Sequence, residues 1–305
     1  MNSLKALLSH LIGASPKLER NPSQVTQELY YPPGHFYSPI VDREEANQHI
    51  SEIEARPTPQ MIQGIAIDRA EMVRTWHKLL PLIASSPFKE RPSGCFRYAF
   101  ENPYYSWGDG NVLQAMIRLC LPKRIMEIGS GWSSICMIET INHFLDGSCE
   151  LTCIEAHPKR LRDLLGSEAR QPNLTIWESR VQQVPVEAFD RLETGDILFI
   201  DSSHVLRTGS DVCHELVEIL PRLSSGVIVH IHDIFWPFEY PRRWAVDENR
   251  SWNELYAVRL FLTQNDCWNV IMFNSFMAQM ERKLIERTYP DFYKRPAAAL
   301  WLQRR

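Results

Sequence analysis

The chain has 305 residues, 44% hydrophobic and 23% charged, the balance of an ordinary globular protein with enough apolar material for a sizeable core. Its formal net charge is −4, so it lacks the excess of Lys and Arg that binding a phosphate backbone demands, and nucleic acid is not an expected partner. No run approaches the roughly 18 uncharged apolar residues of a spanning helix, and the N-terminal stretch around Lys5 and His10 lacks the apolar segment of a signal peptide. No membrane association and a cytoplasmic location are therefore expected. The seven cysteines (Cys95, Cys120, Cys136, Cys149, Cys153, Cys213 and Cys267) are odd in number and form no CxxC pair, which predicts free thiols.

Residues 1–100 show no strand–helix rhythm and carry turn-rich clusters such as Tyr31-Pro32-Pro33-Gly34-His35 and Ser38-Pro39, the composition of an N-terminal arm or cap. Beyond them, short apolar runs alternate with longer amphipathic segments, the pattern of βαβ units. Strands are predicted over 124–128, 150–155, 174–177, 196–201 and 226–232, with helices over 133–144, 159–169 and 210–220 between them. A helix over 252–264 and strands over 267–273 and 297–302 follow. The reading is one α/β domain over 101–305, a parallel sheet with helices on both faces.

Glu127-Ile128-Gly129-Ser130-Gly131 closes the first strand and opens a helix, where an open α/β sheet places its ligand crevice. Glycines let the backbone turn tightly and approach a ligand, and a helix start offers unpaired N–H groups to an anion. Glu155, ending the second strand, suits hydrogen bonding to ribose hydroxyls. Taken singly, the first could be an ordinary βα turn and the second a solvated strand-end charge. A nicotinamide-binding turn would need Gly at position 134, where the chain has Ser134.

The Glu-Ile-Gly-Ser-Gly turn, Ile154-Glu155-Ala156, the run from Gly195 to Asp201 and the run from Val227 to Asp233 resemble successive motifs of class I S-adenosylmethionine methyltransferases. Asn102-Pro103-Tyr104-Tyr105-Ser106-Trp107-Gly108-Asp109, Pro237-Phe238-Glu239-Tyr240-Pro241 and Trp252-Asn253-Glu254-Leu255-Tyr256 resemble a bacterial branch of small-molecule methyltransferases. The resemblance implies a Rossmann-like, doubly wound seven-stranded sheet with its last strand antiparallel, preceded by a largely helical N-terminal cap. It also implies that Gly129 and Gly131 flank the methionine moiety of S-adenosylmethionine, that Glu155 holds the ribose, and that Arg180 and Val181 lie near the adenine. Asp201 would face the reaction centre. Glu127, Ser130, Ser133 and Ala156 complete the expected cofactor set, Ser133 standing where the family usually has a third glycine.

Methyl transfer is an in-line displacement, so the protein aligns the partners and, where needed, removes a proton. His204, His232 and Asp233 lie at the ends of the fourth and fifth strands and are the candidate catalytic residues, an imidazole titrating near working pH. A divalent metal held by Asp201, His232 and Asp233 is the second reading of the same residues. His35, Tyr37, Tyr105, Asp109, Glu239 and Tyr240 are candidate substrate contacts, the last two on an aromatic loop suited to a lid. The expected activity is O-methylation of a small-molecule acceptor. The alternatives are N-methylation of a small metabolite, a non-catalytic adenosylmethionine-binding module and a nicotinamide-dependent oxidoreductase. The acceptor itself and the oligomeric state stay open.

Overall fold

The computed structural model describes residues 29–166, 171–295 and 297–305, and the chain divides into two compact units, residues 1–42 and 43–305. In the first unit residues 29–42 form turns. Gly34, at φ +83°, donates its N–H to the Ile40 carbonyl, and the rings of Tyr31 and His35 stack 4.4 Å apart.

The second unit opens with two helices, α1 (Arg43–Glu54) and α2 (Arg69–Ala84). Asp68 starts α2 by accepting the Glu71 N–H at 2.9 Å, which satisfies a donor left free at the helix end. The next helix, α3 (Trp107–Cys120), is buried from Trp107 through Ile117, as expected of a helix whose apolar residues run all round. The sheet follows in chain order: β1 (Arg124–Ile128), β2 (Glu150–Ile154), β3 (Leu174–Trp177), β4 (Ile197–Ile200), β5 (Ile228–Ile231), β6 (Trp268–Phe273) and β7 (Leu300–Arg304). Helices α4 (Trp132–Phe144) and α5 (Lys159–Leu165) join the first three strands, and α6 (Asp211–His214) precedes β5. After β5 come α7 (Glu254–Leu262), α8 (Asn274–Met280) and α9 (Arg282–Thr288).

The strand order is β3-β2-β1-β4-β5-β7-β6, with β1 to β5 parallel and β7 antiparallel to both of its neighbours. Every residue of β4 and β5 is buried, and only His230 interrupts their apolar runs. The order reverses between β1 and β4, which opens a crevice at the carboxyl edge of the sheet. All seven cysteines are free. Among the described residues no helix is long and apolar enough to cross a membrane.

Three segments differ from their predicted form. The expected helix over 210–220 is α-helical only from Asp211 to His214, then widens to a π-turn over Glu215–Ile219 and tightens over Leu220–Arg222. Pro221 accounts for its end, having no N–H to give and a ring that crowds the preceding turn. The helix expected from 252 starts at Glu254, because Asn253 is turned out of helical geometry to bond Leu206. The last strand starts at Leu300 rather than 297, because the Ala298 N–H is taken by the Asp109 carboxylate. The tail of the expected 159–169 helix lies outside the described residues.

Asp109 is a tie between α3 and the far side of the sheet. It is 6% exposed and accepts Asn274 Nδ2 at 2.8 Å as well as the Ala298 N–H. Burial pushes its carboxyl up to about 6, against the opposing effect of His232 and of those two bonds. An acid raised in this way stabilises the fold fully below its unfolded pKa of 3.8, and that contribution is lost as the pH rises through about 6. In Asp109→Asn the urea-unfolding free energy is expected to lack this decline, which amounts to at most about 3 kcal/mol for two pKa units. Identical pH profiles for parent and variant would remove the assignment.

Candidate active site

Backbone register puts the site residues in one row. Ile128 pairs with Ile154 on one side and Ile200 on the other, and Ile200 pairs with Ile231. The residues that follow continue the ladder past the strand ends. Gly129 donates to the Ile154 carbonyl at 3.0 Å, Asp201 to Ile128 at 2.9 Å and His232 to Ile200 at 2.9 Å. Glu155 donates to Trp177 at 3.0 Å. Glu155, Gly129, Asp201 and His232 therefore line the carboxyl edge, in that order.

Gly129 sits at φ +87°, and a Cβ there would stand 2.0 Å from the Asp201 carbonyl oxygen, so only glycine fits between the two strand ends. Behind the turn, Glu127 is fully buried and accepts from Ser133 Oγ at 2.6 Å, from Ser134 Oγ, and from Cys153 Sγ at 3.1 Å. Ser134 Oγ also takes the Gly131 N–H at 2.9 Å. Burial pushes the Glu127 carboxyl up to about 7 against these bonds. Glu127 and Ser133 thus shape the turn from behind. Ser130 stands differently, its Oγ buried with no hydrogen-bond partner. This orphaned hydroxyl and the start of a 13-residue helix fit the carboxylate end of an amino-acid-bearing cofactor. Glu155 and Ala156 are half-buried, Arg180 is exposed, and Val181 is buried at the head of the turn Val181–Gln183. One Glu155 oxygen accepts the His157 N–H at 2.8 Å.

His204 occupies the centre of the polar group at the ends of β4 and β5. It is 6% exposed, with Nδ1 2.7 Å from Glu254 Oε2 and Nε2 3.5 Å from both Asp201 Oδ1 and Asp233 Oδ2. Its ring lies 4.4 Å from that of Trp252. Both His204 (φ +61°) and Asp233 (φ +57°) hold left-handed backbone, which costs a non-glycine residue and concentrates at functional sites. Burial pulls His204 down, but its bonds to Asp201 and Glu254 and the surrounding carboxylates carry it well above the usual imidazole range. Burial pushes Asp201 up, and the two histidines His232 and His204 overcome it to hold the carboxyl down at about 2. Asp233 and Glu254 are raised, chiefly by burial.

His232 is buried against Tyr105, ring centroids 4.9 Å apart, with Nε2 3.5 Å from Asp233 Oδ1 and Nδ1 without a partner. Burial lowers its pKa, and Asp233, Asp201 and Asp109 together raise it above the ordinary value. On the same strand face, His230 stacks flat on Phe199 at 3.9 Å, and burial holds it neutral. The group able to converge on a metal ion differs from the expected one. Asp201, His204 and Asp233 bring ligand atoms within 4.8 Å of one another, and His232 is not among them. His204, coiled back by its left-handed backbone, takes that place.

The remaining candidates separate. Tyr105 is 2% exposed with its hydroxyl unpartnered, and Tyr240 is buried with its hydroxyl accepting the Leu255 N–H at 3.2 Å. Glu239 is tied to His49 at 2.9 Å and to the Tyr256 hydroxyl. Asp109 is the fold-holding tie already described. His35 and Tyr37 belong to the separate first unit. Trp252 and Glu254 lie in a motif noted in the sequence but given no role in the site, and Glu215 has no mark in the sequence at all. Glu215 is 1% exposed, one oxygen accepting from Ser202 Oγ at 3.1 Å and the other unpartnered. A signal for Glu254 existed in the Trp-Asn-Glu stretch ahead of an apolar helix.

Residues 126–234 match the family model described as a methyltransferase domain, which spans β1 to the start of the loop after β5. An uncharacterised protein of Archaeoglobus fulgidus is 28% identical over 167 residues, covering 53% of this chain and 74% of its own. Among solved structures, the chain is similar to the S-adenosylhomocysteine-bound methyltransferase PaMTH1 of Podospora anserina, at 15% identity and TM-score 0.43, covering 87% of this chain and 97% of that one. It is also similar to the O-methyltransferase TomG of Streptomyces achromogenes, at 13% identity and TM-score 0.43, covering 86% and 98%. The matched residues hold the glycine turn and the parallel strands that follow it. Over residues 126–234 the chain is similar to a methyltransferase domain.

Gly129→Ala is expected to lower the unfolding free energy by about 2–4 kcal/mol, from a clash with backbone added to a left-handed φ. A urea midpoint equal to that of the parent would show that the two strand ends can part without cost.

Proposed function

We propose that the enzyme methylates an oxygen of a small-molecule acceptor held over the ends of β4 and β5. One observation carries this reading: His204 Nε2 faces two strand-end carboxylates in the same edge row as the glycine turn. Bound S-adenosylmethionine supplies an electrophilic methyl group on a sulfonium. In this reading Gly129, Ser130 and Gly131 receive its methionine end, Glu155 its ribose hydroxyls, and Ala156, Arg180 and Val181 its adenine. Asp201 lies between cofactor and acceptor. His204, held cationic among carboxylates, stabilises the oxygen as it loses its proton. His232, raised only by its acidic neighbours, accepts that proton. Residues 101–305 carry this chemistry and residues 1–100 are the N-terminal arm.

Two measurements test the proposal. Glu155→Ala should weaken adenosylmethionine binding by about 1.5–3 kcal/mol in calorimetry, the scale of hydrogen bonds to a charged group. Parental affinity would remove Glu155 from the ribose.

The second is turnover, followed as S-adenosylhomocysteine release on hydroxyl-bearing acceptors. His232→Ala should cut kcat by about 10²–10⁴-fold with adenosylmethionine affinity unchanged. A base works only when deprotonated, so parental kcat should rise as the pH climbs through the raised His232 pKa, and the variant should lack that limb. Activity abolished by a chelator and restored by a divalent ion would overturn the base reading in favour of a metal at Asp201, His204 and Asp233. Release only with amine acceptors would replace O-methylation by N-methylation.

A further inference from the structure

All three residues of Trp252-Asn253-Glu254 bear on the turn that carries His204. The N–H groups of Asn253 and Glu254 both donate to the His204 carbonyl, at 3.1 and 3.2 Å. The Asn253 side chain accepts the Leu206 N–H at 2.6 Å and donates to the Leu206 carbonyl at 3.2 Å. The Trp252 ring covers the imidazole. Glu254, 2% exposed, holds Nδ1 through a bond of 2.7 Å. Backbone, ring and carboxylate thus grip a histidine whose left-handed backbone is otherwise unfavourable. A carboxylate is costly to bury, and tying down a loop would not require a charge, because the backbone bonds and Asn253 already do so.

We infer that Glu254 is the positioning residue of the site, taking the Nδ1–H of His204 so that Nε2 is the nitrogen presented between Asp201 and Asp233. The assignment rests on the proposed role of His204, and it extends that role to a residue that touches neither cofactor nor acceptor. Such a contact keeps a proton on Nδ1 and fixes the orientation of the ring, and so aims Nε2, whichever chemistry that nitrogen performs. A ring released by loss of this bond can swing about its side-chain torsions, and misplacement on the ångström scale costs about 10²-fold in rate.

The experiment uses the full chain as Glu254→Gln and Glu254→Ala, with ¹⁵N-labelled histidine. In the parent, the His204 Nδ1 should appear as a protonated nitrogen whose proton exchanges slowly with water. Glu254→Gln keeps a carbonyl oxygen in reach and should keep the Nδ1 proton, with kcat reduced several-fold. Glu254→Ala should lose the slowly exchanging signal and about 10²-fold in kcat, with KM for adenosylmethionine unchanged in both. A purely structural Glu254 would lower the thermal midpoint yet leave parental kcat in the folded variants, which overturns the inference. So would a parental His204 with an unprotonated Nδ1. The nitrogen signals report without any acceptor, so failure to find methyl transfer would count against the proposed function alone. Should Glu254→Ala not fold, Glu254→Asp, which keeps the charge but falls short of the ring, replaces it with the same expected outcome.

Discussion

At the switch point of the sheet the chain at Gly129 passes so close to the Asp201 carbonyl that no side chain can stand between them. This close passage lets β1 and β4 stay paired to their last residues and one step beyond, and the rest of the site inherits its placement from it. Glu155, Asp201 and His232 stand level with Gly129 because each continues a ladder that never diverges. Had the strand ends splayed, the residues carried by β1 and β2 and those carried by β4 and β5 would lie in separate clefts.

Around that edge the protein buries more carboxylates than its histidines can neutralise. Asp109, Glu127, Glu215 and Glu254 are all less than a tenth exposed, and burial raises each of them. Each has a separate set of partners: backbone and Asn274 for Asp109, two hydroxyls and a thiol for Glu127, Ser202 for Glu215, and His204 for Glu254. Burial thus works against the charge of each of the four, while the two imidazoles beside Asp201 hold that carboxyl toward its ionised form.

The parts of this arrangement legible in the sequence are those governed by local pattern. Strands β1, β4 and β5 show as short apolar runs because both faces are covered, and the glycine turn shows because it must follow one of them. Residues placed by contacts distant in sequence were less accessible. Asp109 lies in a motif that suggested a substrate contact, yet its partners Asn274 and Ala298 are more than 160 positions away. The exchange of His232 for His204 in the metal-competent group depends on a left-handed turn that no composition rule assigns to Ser-Ser-His. The π-turn at Glu215 is likewise invisible to a search for helical periodicity, which treats 210–220 as one regular element.

The place of β7 has a bearing on how the chain is assembled. It follows β6 in sequence yet lies inside it, bonded to β5 on one side and β6 on the other. On a ribosome, β5 and β6 are therefore both made before the strand that joins them. Until it arrives, each presents an open row of backbone donors and acceptors, the kind of edge that recruits strands from other molecules. The five parallel strands, with their crevice, can pair before this happens. Until Leu300–Arg304 inserts, the nascent sheet accordingly carries adhesive edges at β5 and at β6.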